Sequence, residues 1–197
     1  MKTSFFANHY FNQVKEISDL MDKKKLNTLA EQIYLIKKKS GRMFFLGVGG
    51  SAGNCSHAVN DFRKLCDFEC YTPVDNISEL TARINDEGWN SSFKNWLKIS
   101  KLNRKDALFI LSVGGGNKKK NVSVNLIEAI DYAKRIKSKI FGIVGRKDGY
   151  LSVKGNCVIH IPNVDDKLLT PLTEAYQAVV WHFLVSHPLL KKNKTKW

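Results

Sequence analysis

A chain of 197 residues is long enough for one α/β domain with a full core and too short for two, so 1–197 reads as a single domain. The formal net charge of +14 comes from 32 Lys and Arg against 18 Asp and Glu, but the basic residues are scattered in clusters at 23–25, 37–39, 118–120 and 191–196 without interleaved aromatics. That distribution argues against a nucleic-acid partner and leaves room for an anionic small molecule. The start carries acidic residues and no apolar h-region, no run reaches membrane-spanning length, and Cys55, Cys66, Cys70 and Cys157 form no C-x-x-C pair. A cytoplasmic protein with free thiols and no membrane contact is expected.

Taken in order, Phe5, Phe6, Tyr10, Phe11, Val14, Ile17 and Leu20 recur at three and four, predicting a helix from Ser4 to about Met21. Leu26, Leu29, Ala30, Ile33 and Ile36 predict a second, stopped by Ser40-Gly41. This helical pair, 1–40, is apolar enough to suggest packing on its equal in another copy of the chain. The core then spans 41–190, with a basic tail at 191–197. The run 42–48 has the form of a strand buried on both faces, and Gly49-Gly50-Ser51 opens a helix reaching about Cys66. The same grammar repeats: strand 107–113, Gly114-Gly115-Gly116-Asn117, then a helix around Leu126 to Ala133. Strands at 139–144 and 157–161 and a last helix from about Thr173 to Val185 complete an α/β alternation, which implies an open parallel sheet flanked by helices.

Ligands of such sheets bind beyond the carboxyl ends of the strands, where glycine admits close approach and helix N-termini offer free N–H groups to anions. Both glycine-rich turns occupy such junctions. Neither has the G-x-x-x-x-G-K-[ST] form of a nucleoside triphosphatase. Gly47-Val-Gly49-Gly50-Ser-Ala-Gly53, with Glu69 further on, approaches a dinucleotide fingerprint, and a tight turn that binds nothing is the plain alternative.

His57 and Asp61 stand at i and i+4 on the helix after the first turn, with side chains within about 6 Å. Such a pair can share a metal ion, divide proton-transfer work or form a surface ion pair. Glu174 and His182 are eight residues apart on the last helix, roughly 80° out of alignment, so they can face one pocket from successive turns. A histidine satisfied inside the core is the alternative for His182.

Two helices, a strand, Gly49-Gly50-Ser51 and a histidine six residues after that serine resemble the opening of the phosphoheptose isomerases. These are enzymes of the SIS (sugar isomerase) fold that interconvert sedoheptulose 7-phosphate and D-glycero-D-manno-heptose 7-phosphate. Asn85-Asp86 resembles the family's sugar-contacting pair. Ser112 falls at the first serine of its second phosphate turn, and Glu174 and His182 hold its metal-binding glutamine and histidine positions. The resemblance implies a homotetramer of SIS domains with sites between subunits, and Zn2+ or another divalent cation on His57, Asp61, Glu174 and His182. It implies an aldose–ketose isomerisation through an enediol, with Asp61 as base and His182 as acid–base partner at the oxygens. Gly49, Gly50, Ser51, Ser112, Val113, Gly114 and the following N–H groups to Asn117 would cradle the phosphate, while Asn85, Asp86 and Glu174 would contact the sugar. The chain departs from the family at Val48 for asparagine, Asp61 for glutamate, Glu174 for glutamine, and SVGGGN for a serine-rich turn. A non-catalytic SIS-domain adaptor of replication initiation, or a sugar-phosphate sensor, is the competing reading. The two histidines and two carboxylates favour the enzyme, and the thinned turn favours the adaptor.

Overall fold

Four apolar runs, too short for helices and bounded by turn residues, form all but one edge strand of a five-stranded parallel sheet in the computed structural model, which describes residues 3–195. The elements are α1 (Thr3–Leu20), α2 (Lys23–Lys38), β1 (Met43–Leu46), α3 (Gly50–Cys66), β2 (Cys70–Tyr71), α4 (Ile77–Glu87), α5 (Ser92–Ile99), β3 (Ala107–Ser112), α6 (Val124–Arg135), β4 (Lys139–Val144), α7 (Tyr150–Lys154), β5 (Cys157–His160) and α8 (Leu169–Ser186). Strand order is β2-β1-β3-β4-β5, with Met43 opposite Ala107, Ala107 opposite Lys139 and Phe141 opposite Cys157. The order reverses direction between β1 and β3, so the crevice beyond their carboxyl ends is where an open α/β sheet takes its ligand. Both glycine-rich turns leave the sheet there.

Side chains alternate across each strand, which separates two cores. Met43, Phe45, Phe109, Phe141 and Ile159 face α1, α2, α3 and α8, while Phe44, Leu46, Leu108, Ile110 and Val158 face α5, α6 and α7. On the first face Phe45 stacks on Phe109 at 5.0 Å between ring centres and tilts onto Phe62 of α3 at 5.4 Å. Burying one such ring contributes roughly 1.5–3 kcal/mol, and this packing fixes α3 against the sheet. All four cysteines are free and buried. Burial raises the Cys66 thiol to about 11, with the nearby Lys37 opposing, so it stays protonated.

The expected helices and central strands are present, with bounds shifted by a few residues. Three helices and a strand join them, namely β2, α4, α5 and α7. The second glycine turn does not lead straight into a helix. A small hairpin intervenes, closed by paired bonds between Asn117 and Val122 at 2.9 and 3.1 Å, and α6 begins only at Val124. Lys196 and Trp197, the end of the basic tail, lie outside the described residues, as do Met1 and Lys2. No helix among the described residues is long and apolar enough to cross a membrane.

Candidate active site

Helices α3 and α8 lie side by side and run in the same direction, because their contacts step forward together along both. Asn54 Nδ2 donates to the Glu174 carbonyl at 3.0 Å and to Gln177 Oε1 at 3.1 Å, and about three turns on the Cys66 thiol meets the Val185 carbonyl at 3.8 Å. Gln177 is fully buried, so its tie to Asn54 locks the register of the two helices. In that register His57 and Asp61 on α3 fall opposite Trp181 and His182 on α8.

Three of the four expected metal ligands come together. Single donor atoms of His57, Asp61 and His182 all lie within 4.8 Å of one another. Asp61 Oδ1 accepts from Asn60 Nδ2 at 2.9 Å, which leaves Oδ2 facing Nε2 of His57 and Nε2 of His182, each at 3.8 Å. Those separations are too long for hydrogen bonds. They approach the ~3.3 Å that separates donor atoms held tetrahedrally at about 2.0–2.1 Å from a zinc ion. His182 Nδ1 stands 2.9 Å from the Ala178 carbonyl, a contact that requires the proton on Nδ1 and turns Nε2 toward Asp61, where the neutral ring presents its lone pair. His57 rests on the buried Trp181 ring at 4.6 Å. The donor set therefore fits a divalent cation with room for a further ligand.

His182 is no core histidine: its side chain is 51% exposed, and that of His57 is 58% exposed. Glu174 does not join the cluster. It lies eight residues before His182, about 12 Å of helix rise. Its carboxylate is instead seated at the start of α3, where a Cβ added to Gly50 would come 2.6 Å from Glu174 Oε2. Only glycine permits that approach, and the carboxylate meets the positive end of the α3 dipole. The first glycine turn thus already has an anion, which favours the second turn as the seat of an incoming phosphate. Ser51 is buried in the first turn of α3, and Gly49 immediately precedes it.

The second turn differs from the expectation in detail. Ser112 is buried, and its Oγ accepts the Gly115 N–H at 3.0 Å, so the hydroxyl shapes the turn. The Asn117 N–H is taken by Val122, and its Oδ1 accepts from the Lys120 N–H at 3.0 Å. The Val113 carbonyl accepts from Gly145 and Arg146. Gly115 and Gly116 adopt φ of 71° and 85°, a left-handed pair that turns their carbonyls onto the Leu151 and Tyr150 N–H groups of α7, each at 2.9 Å. A trans peptide points its N–H opposite its carbonyl, so the Gly116 N–H is directed away from α7. Asn85 and Asp86 stand exposed near the end of α4, joined by a 2.7 Å bond, and α4 packs on α5 and on the turn at Pro73–Asp75.

Sequence reasoning did not single out Asn54, Gln177, Ser123 or Arg146. A glutamine in the middle of an apolar helix was the available signal for Gln177. Ser123 directly precedes the apolar run of α6 in the position of an N-cap, and it adopts the left-handed region with no capping bond from its side chain.

No family model matches the chain. A lincomycin biosynthesis protein, LmbN of Streptomyces lincolnensis, is 30% identical over 158 residues, covering 75% of this chain and 56% of that protein. The chain thus spans little more than half the length of that relative. The phosphoheptose isomerase of Desulfovibrio desulfuricans is 26% identical over 164 residues, covering 81% of this chain and 73% of that enzyme. The solved structure of the phosphoheptose isomerase GmhA from Neisseria gonorrhoeae superimposes with a TM-score of 0.79 at 18% identity, over 94% of this chain and 97% of the other. The chain is similar in sequence to phosphoheptose isomerases and shares their fold. Against the family pattern, Asp61 for glutamate shortens the carboxylate arm of the cluster by one methylene. Glu174 for glutamine places a full negative charge at the α3 N-terminus.

Proposed function

We propose that the chain is an aldose–ketose isomerase of phosphorylated sugars, with a seven-carbon sugar phosphate as substrate. The observation that carries the reading is the convergence of Asp61 Oδ2 on two imidazole nitrogens at 3.8 Å each, on helices that start at the ligand-binding edge of the sheet. The seven-carbon substrate is supported by the relatives named phosphoheptose isomerases.

In this mechanism the Asp61 carboxylate takes the proton from C1 of the ketose and returns it to C2, so that the aldose forms with no change in composition. His182 Nε2 moves the second proton between O1 and O2. The hydrogen bond to Ala178 keeps its ring from turning. A divalent cation would be held by His57 and Asp61, with His182 as a ligand only while its Nε2 carries no proton, and would supply positive charge that lowers the cost of the negative charge developing on the sugar oxygens. The phosphate sits at the second glycine turn, met by the Gly116 N–H and the N-terminus of α6 at Ser123. Asn85 and Asp86 orient sugar hydroxyls from α4. We further propose that the half-exposed cluster is enclosed by another copy of the chain in a tetramer, to which the exposed Phe5, Phe6 and Phe11 on α1 and Val179 on α8 contribute apolar surface.

Incubation with a panel of pentose, hexose and heptulose phosphates in deuterated water tests the reading. Conversion of sedoheptulose 7-phosphate with deuterium entering at the exchanged carbon is expected. No conversion of any member of the panel by metal-replete protein would reject it.

A further inference from the structure

The hairpin between the second glycine turn and α6 carries Lys118, Lys119 and Lys120, and the fold treats them differently. Lys118 Nζ lies 3.2 Å from Asp131 Oδ2 on α6 and 4.8 Å from the centre of the Tyr150 ring on α7. The Tyr150 hydroxyl donates to the other oxygen of the same carboxylate. Hydrogen bonding to Asp131 raises the Lys118 ammonium above its ordinary range, and burial together with Asp131 raises the Tyr150 phenol. Lys118 is thus tied to the α6–α7 side of the hairpin. Lys120 instead lines a pocket of about 130 Å³ with Arg146, Asp148, Asn117 and the backbone of Gly114 and Gly116. Arg146 gives two of its five N–H groups to Asp148, at 3.1 and 3.4 Å, and keeps three. The pocket therefore holds two cations against one carboxylate, with Gly149 at the start of α7 completing its wall.

We infer that Lys120 and Arg146 are the specificity-determining grip of this chain on a dianionic phosphate monoester, and that Lys118 is a positioning residue pinning the hairpin through Asp131 and Tyr150. The inference rests on the reading of the chain as a sugar-phosphate isomerase and deepens it. The turn has a single hydroxyl, Ser112, which accepts the Gly115 N–H and so offers at most one O–H donor to a phosphate. Charge then does what side-chain hydroxyls cannot. A guanidinium and an ammonium prefer a dianion to a monoanion or a neutral hydroxyl, whereas a wall of hydroxyls discriminates less by charge. Because Arg146 is half exposed, the grip is sensitive to salt.

The test uses the full chain with its metal. Inorganic phosphate is titrated by calorimetry, and turnover of sedoheptulose 7-phosphate is followed by NMR, for the wild type, Lys120→Gln, Arg146→Gln, Lys118→Gln, Lys118→Arg and Lys119→Gln. Loss of either grip residue is expected to weaken phosphate and raise KM on the order of tenfold, the worth of one charge-assisted hydrogen bond, with kcat unchanged. Lys119→Gln is expected to behave as wild type. Lys118→Gln is expected to raise KM at unchanged kcat and to be rescued by Lys118→Arg, which keeps the tie to Asp131. Phosphate affinity within twofold of wild type in both grip variants would overturn the inference, as would a wild type that does not bind phosphate. A wild type that binds phosphate and converts no sugar phosphate would reject the isomerase reading alone, and the phosphate titration of the variants would still decide the grip.

Discussion

Asp61 Oδ2 lies 3.8 Å from His182 Nε2, and the two side chains belong to different helices that meet in a fixed, parallel register. Neither residue places the other. The Asn54–Gln177 tie and the Trp181 ring packed between the helices set that distance, so chemistry and stability at this seam separate cleanly under mutation.

Replacement of His182 by alanine is expected to cost isomerisation at least 100-fold, the scale of a lost acid–base group. Its side chain is half exposed and its ring bonds only to a carbonyl of its own helix, so the fold is expected to change by no more than about 0.5 kcal/mol. Turnover by NMR and thermal unfolding of the same preparation check both halves. Retained turnover would remove His182 from the reaction.

Asp61→Asn keeps the size of the side chain and removes the negative charge that faces two imidazoles. Metal content measured after purification without chelators is expected to fall together with activity. Chelator treatment of the wild type is expected to lower its unfolding temperature, because a ligand that binds only the folded state stabilises it. Full metal occupancy in Asp61→Asn would take that carboxylate out of the ligand set.

The strands were legible because a strand covered on both faces is a short apolar run with nothing polar to break it, as Met43 to Leu46 and Ala107 to Leu111 show. β2 was not legible, since Cys70 and Tyr71 are too few to display a period. α4 escaped notice for another reason: it buries none of its residues, and it is held by the Asn76 cap and by Arg83 bridging Glu79 and Glu87. Within the site, the i, i+4 spacing of His57 and Asp61 was visible on one helix. That His182 joins them while Glu174 turns to Gly50 depends on the α3–α8 register, which no local spacing encodes. The hairpin that delays α6 was hidden in a run of lysines that looks like any solvated surface.

Asn54→Ala removes the only donor that reaches Gln177 Oε1 among the described residues, inside a seam where water is excluded. A loss of about 1–3 kcal/mol in urea unfolding is expected, the cost of leaving a buried acceptor unpaired. Adding Gln177→Met to that variant is expected to recover part of the loss, because the orphaned amide disappears and the volume is kept. If the double variant is as unstable as the sum of the single ones, the two residues do not act as a unit.

His160, at the carboxyl end of β5, faces Ser152 Oγ at 3.1 Å, and burial lowers its imidazole below the ordinary value, with the charges of Lys25 and Lys147 adding to the effect. The native state therefore holds this proton less tightly than the unfolded chain does. As pH falls below about 6.5 the unfolded chain takes up the proton first, so folding stability contributed by neutral His160 is fully present above that pH and is lost as pH descends toward the native value. The unfolding midpoint is expected to drop as pH falls below about 6.5 in the wild type and to drop less in His160→Gln, which keeps a polar partner for Ser152 but does not titrate. Identical pH profiles for the two proteins would show that His160 gains its proton equally in both states, and the lowering by burial would have to be abandoned.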